Sequence, residues 1–160
     1  MDKILKVKSI SVWIFIIPFI AVNACLIIST HYTEFFKDGQ AIYTKYIPYI
    51  DGGASISRTA RYFPNYLIFK PAMFLTSYLL IKYWINNKII IQSFNENAKH
   101  VKKIVFFGVS SAVCLILHSI FLGIKFDYDL YKLFRRVIML SFIIFEVVAQ
   151  TYLVITLYSM

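Results

Sequence analysis

Four stretches of this chain, roughly residues 9–30, 66–85, 104–124 and 137–158, are each about twenty residues long and carry at most one or two charges. Crossing a hydrocarbon core of ~30 Å takes ~20 helical residues. In lipid, only a helix satisfies every backbone amide within one isolated segment. The four runs therefore predict an all-α fold, an integral membrane bundle of four transmembrane helices, with antiparallel neighbours where the joining loops are short. Composition agrees, since 59% of the 160 residues are hydrophobic and the mean hydropathy is +0.68, more than a water-facing surface accommodates. No internal repeat or low-complexity tract divides the chain, so residues 1–160 read as a single transmembrane domain.

Seventeen Lys and Arg stand against eight Asp and Glu, a net charge of +9. In a membrane protein such an excess meets anionic headgroups. No Gly-rich phosphate loop and no basic patch interleaved with aromatics points to a nucleotide or nucleic acid, so membrane lipids are the expected partners and nucleic acid is not. Cys25 and Cys114 both lie inside apolar runs, where a thiol behaves as a small hydrophobe. His31, His100 and His118 lack metal-ligand spacing, so neither a metal nor a cofactor is expected.

With the N-terminus inside, eight Lys and Arg fall on the inner side and nine on the outer. The outer nine, however, share longer loops with Glu34, Asp38, Asp51, Asp127 and Asp129, and Lys3, Lys6 and Lys8 immediately precede the first run. This flank predicts cytoplasmic N- and C-termini and an extracytoplasmic loop over residues 31–65. The start MDKILKVK also resembles a signal n-region, with Val22-Asn23-Ala24-Cys25 approximating a lipoprotein cleavage site. Leu26-Ile27-Ile28 continues the apolar run past that cysteine, which argues for retention as a helix.

Loop 31–65 is long for a connection without structure of its own, and such loops tend to carry function. Its aromatics, from Tyr32 to Phe63, suit the headgroup interface and place Asp51, Ser55, Ser57, Arg58 and Arg61 where phosphates lie, with Lys70 just inside the second helix. These six are the candidate headgroup-binding residues. Asp51-Gly52-Gly53 signals a turn, and Pro64-Asn65 ends the loop before a helix at Tyr66. The segment 86–103 reads as the inner loop, with a basic end that anchors at lipid headgroups. No Ser, His and Asp set has nucleophile spacing, so no catalytic residue is assigned and an enzyme is not the favoured reading.

Polar side chains inside the apolar runs are costly and therefore functional candidates. They are Asn23, His118, Glu146 and Gln150. Counted from the expected outer helix ends, His118 lies ~9 Å deep and Glu146 ~14 Å deep. The two are near enough to pair, either as a proton-accepting site or as a hydrogen bond that fixes packing. Gly108, Ser111, Ala112, Leu115 and Ser119 form a small-residue stripe on which a membrane helix packs, and Glu146 and Gln150 share one helix face.

The run Ile47-Pro48-Tyr49-Ile50-Asp51-Gly52-Gly53-Ala54-Ser55-Ile56-Ser57, followed by Pro64 and Ile68-Phe69, resembles the signature of DRAM-like membrane proteins, a family that includes relatives acting in GPI-anchor remodelling. The resemblance implies a lipid-facing role. Members of that family usually have five or six membrane helices, so in a shorter four-helix version any pocket built by the later helices is either absent or supplied by a second copy or a partner membrane subunit. The spacing from the glycine pair to Pro64 is also longer than the family pattern. Lipid handling at the outer headgroup level is thus the leading expectation. The alternatives are a small proton-coupled transporter using His118 and Glu146, or a structural subunit of a membrane assembly.

Overall fold

The computed structural model describes residues 2–32, 56–96, 98–124 and 129–159. All regular structure among them is helical: α1 (Asp2–His31), α2 (Ile56–Thr59), α3 (Asn65–Phe94), α4 (Val101–Phe121) and α5 (Asp129–Tyr158). The helices outrun the apolar stretches that announce them. Helix α1 takes in Lys3, Lys6 and Lys8, α3 continues nine residues past Ile85, and α5 begins eight residues before Val137. Residues 86–94, expected as loop, are therefore helix. Hydropathy measures the slab a helix crosses, whereas Lys, Arg, Asn and Gln extend a helix into water without penalty to its backbone bonds.

Helices α1, α4 and α5 are long and apolar enough to cross a membrane. Helix α3 is as long as α1 and α5, but Lys70, Lys82 and Lys88 dilute its apolar run. The Lys82 ammonium lies 4.5 Å from the Tyr78 ring centroid, so its stem lies back along the helix.

Each long helix packs mainly on the one before it: α3 on α1, α4 on α3, α5 on α4. The side-chain pairings make each pair antiparallel. Asn65 at the start of α3 meets Cys25 and Ser29 near the end of α1, Trp84 lies over Gly108, and Ser111 meets Glu146 while Thr156 reaches Lys99. One end of the molecule, here the Asn65 end, gathers His31, α2, Asn65, Phe121 and Asp129; the other gathers Lys99 and Ser159.

Residue size and polarity are distributed as lipid demands. Leu133, Val137, Leu140, Ile143, Val147 and Val154 of α5 are exposed, while Ser29, Thr76, Ser77, Ser111, Ser119 and Thr156 are buried. Small polar residues let helices approach closely, and bulky apolar ones face hydrocarbon. The predicted stripe on α4 is buried throughout: Gly108, Ser111, Ala112, Leu115 and Ser119 all lie inside. At Gly108 the approach is closest. The Trp84 indole, fully buried, lies flat where a Cβ would stand.

Candidate functional site

Glu146 projects from the middle of α5, and its carboxylate is held from three helices. Trp84 Nε1 of α3 donates to Oε2 at 3.3 Å, Ser111 Oγ of α4 lies 2.7 Å from the same oxygen, and Gln150 Nε2 donates to Oε1 at 3.0 Å. The pairing of Glu146 with Gln150 follows from their spacing, since residues four apart share a helix face. The pairing with His118 expected from depth is not formed. Glu146 meets Ser111, seven residues and ~10 Å along α4 from His118. A transporter coupled through a His118–Glu146 pair finds no such pair here.

His118 belongs instead to a basic cluster at the Asn65 end. Arg135 of α5 is within electrostatic range of both His118 of α4 and Arg61, which precedes α3. The chain after α4 turns at Gly123, with φ of +93°, and a Cβ there would lie 3.3 Å from the Arg61 carbonyl oxygen. This left-handed turn seats Arg61 against the end of α4. Among the described residues, the buried Arg61 Nε and His118 Nδ1 have no hydrogen-bond partner. Asp129, at the start of α5, pairs with Lys132 at 2.9 Å. Tyr131 donates to the Phe121 carbonyl at 2.9 Å and so fixes the start of α5 on the end of α4 beside this cluster.

The remaining sequence candidates divide. Lys70 sits at the same end, its ammonium 3.5 Å from the Ile120 carbonyl and 5.9 Å from the Tyr66 ring centroid. Asn23 donates to Phe19 O of its own helix at 2.7 Å. Asp51 and Ser55 lie outside the described residues, as do the side chains of Ser57 and Arg58, which fall within α2.

Sequence reading missed Arg135, which it counted only as a flanking charge, and Trp84, which carries no polar signature in an apolar run. It also missed Asn65. This side chain is fully buried, and its Nδ2 lies 2.7 Å from Ser29 Oγ, 3.1 Å from Cys25 O and 2.9 Å from Thr59 O. One amide thereby ties α1, α2 and α3 together. An asparagine directly after a helix-start proline was the only available signal, and its partners lie up to forty residues away.

Buried small polar residues within an apolar core, apolar outer faces and helices of membrane-crossing length mark a helical membrane protein. Comparison of the chain with family models, curated proteins and solved structures finds no match.

Proposed function

We propose that this protein binds and organises anionic lipid headgroups at the Asn65 end, with α3 as a fourth transmembrane helix and with that end on the extracytoplasmic side. The observation that carries the reading is the basic cluster of Arg61, His118 and Arg135, drawn from three separate elements. An anion seated at this end would meet guanidinium groups from two separate parts of the chain, Arg61 before α3 and Arg135 on α5. The unfilled Arg61 Nε position supplies a directional, charge-assisted bond to a phosphate oxygen. Lys70 and the aromatic rings of Tyr66 and Phe63, 6.3 Å apart, stand at the same end, in the composition typical of a headgroup boundary. The DRAM-like resemblance of residues 47–57 points to the same lipid-facing role.

The test is lipid retention. Protein purified from vesicles containing equal amounts of phosphatidylglycerol and phosphatidylcholine should retain the anionic lipid, and Arg61→Ala with Arg135→Ala should lose that preference. Lys102→Ala, at the opposite end, should keep it. Unchanged preference in the double variant would overturn the proposal. Orientation has a separate check: Ser57→Cys should react with an impermeant maleimide on intact cells.

A further inference from the structure

Helix α5 turns Ile138, Ala149, Leu153 and Thr156 inward onto the bundle and carries a second ordered face on its outer side. There Leu140, Ile143, Val147, Gln150, Val154 and Leu157 follow one another at alternating steps of three and four along ~26 Å of the helix. The apolar members are exposed, and Gln150 is half-buried. A seam with this period is the one along which two helices running in the same direction wind around each other. Bulky apolar residues alone need no cover but lipid, and Ile20 on α1 and Val113 on α4 are exposed in that way. Gln150 changes the balance on α5.

A carboxamide has two N–H donors and an oxygen acceptor. Gln150 gives one N–H to Glu146 Oε1 at 3.0 Å, and among the described residues no bond engages the other N–H or its own Oε1. The side chain lines a groove of about 410 Å³ on the outer face of α5, together with Val147, Thr151 and Val154. Hydrocarbon offers neither donor nor acceptor, so the free carboxamide groups lose bonds there that a polar side chain at the same depth restores. Val147, Gln150, Thr151 and Val154 stand at i, i+3, i+4 and i+7, the four corners of a hole into which a side chain of a facing helix inserts. The groove is thus shaped for a helix.

Which helix fills it follows from the chemistry. Copies of one membrane protein share an orientation, so a two-fold axis along the membrane normal sets each residue against its own counterpart at equal depth. Gln150 then faces Gln150. Each donates its spare N–H to the oxygen of the other and keeps its bond to its own Glu146, so one reciprocal pair satisfies both carboxamides. A lone charged side chain in that place would repel its copy, whereas a carboxamide complements itself.

We infer that two copies of this protein associate through α5, with parallel helices packed along the seam from Leu140 to Leu157 and the Gln150 carboxamides paired within it. The interface uses no residue of the basic cluster and holds or fails separately from headgroup binding.

Two experiments test it on the full chain. In cell membranes oxidised with copper phenanthroline, Val147→Cys and Val154→Cys should each give a disulfide-linked dimer beyond whatever wild type gives through Cys25 and Cys114, and Ile20→Cys and Val113→Cys should not. No dimer from the α5 positions, equal yields from all four positions, or cross-linking of the α5 positions to a different protein would overturn the inference. Energy transfer between labelled chains diluted with phosphatidylcholine in vesicles then reads the strength of association. Gln150→Leu keeps the side-chain volume and should raise the protein-to-lipid ratio at half-dissociation about tenfold, the loss expected for a pair of interhelical hydrogen bonds. Thr151→Val should leave that ratio within about twofold, because the Thr151 hydroxyl is already bonded to Val147 O of its own helix at 2.8 Å. An unchanged ratio in Gln150→Leu, with helicity intact by circular dichroism, would overturn the pairing.

Discussion

Replacing Gly108 by alanine adds one methyl at the tightest point of the interior, and its cost can be built from the surroundings. The new Cβ would fall far inside contact distance of Trp84 Cγ and Cδ2 and lie 2.5 Å from Cδ1, while ordinary contacts do not go below 3.0 Å. The ring cannot yield freely, because it is fully buried and its Nε1 is bonded to Glu146. Overpacking of this kind costs up to about 3 kcal/mol. Moving the indole away also breaks the bond to Glu146, which at 3.3 Å is long and contributes about 1 kcal/mol. Alanine returns about 1 kcal/mol through helix propensity. The net loss is about 3 kcal/mol, roughly a hundredfold in the unfolding equilibrium. The assay is reversible unfolding in mixed micelles of mild detergent and dodecyl sulfate, followed by circular dichroism. In a Trp84→Leu background the same substitution should cost under ~1 kcal/mol, a coupling of about 2 kcal/mol between the two positions. Equal costs in both backgrounds, or a loss below ~0.5 kcal/mol in the wild type, would refute the seating of Trp84 on Gly108.

Two further substitutions probe other parts of the same frame. Asn65→Ala strips the buried amide from Cys25, Ser29 and Thr59, leaves two carbonyls short of a donor, and should cost about 2–4 kcal/mol by the same unfolding assay. Hydrogen exchange should rise in α2 and the adjoining end of α1 rather than in α5. Gly123→Ala forces a left-handed φ of +93° on an alanine and presses its Cβ on the Arg61 carbonyl. We expect a loss of about 1–2 kcal/mol together with weaker retention of phosphatidylglycerol, and undiminished retention would separate the turn from the basic cluster.

Much of this frame is legible in the sequence, for reasons that differ from element to element. The apolar runs announce their helices because lipid imposes one length and one composition on anything that crosses it. The α4 stripe is legible because Gly108, Ser111, Ala112, Leu115 and Ser119 share a face by helical geometry alone, and the helix buries that face. Depth is harder, because it depends on where a helix ends rather than on where its apolar part ends. Helix α5 starts at Asp129, eight residues or ~12 Å before the apolar run, and α4 stops at Phe121, three residues short of the expected end. Those two displacements carry Glu146 away from His118 and bring it to Ser111. Arg135 escapes notice for a related reason: its companions His118 and Arg61 come from other elements, and no spacing within one helix encodes them.

The order in which the helices pack bears on how the chain is made. Among the described residues α1 makes no extensive contact with α4 or α5, and every long helix rests chiefly on the one synthesised just before it. Each helix released from the ribosome thus finds its docking surface already complete, and no early helix waits with its polar face in lipid for a distant partner. The antiparallel pairs place Ser29, Asn65, Trp84 and Ser111 in position in turn, and Glu146 arrives last, onto donors that α3 and α4 have already arranged. The costliest side chain in the bilayer is therefore the final one to be inserted, when its hydrogen bonds are ready to receive it.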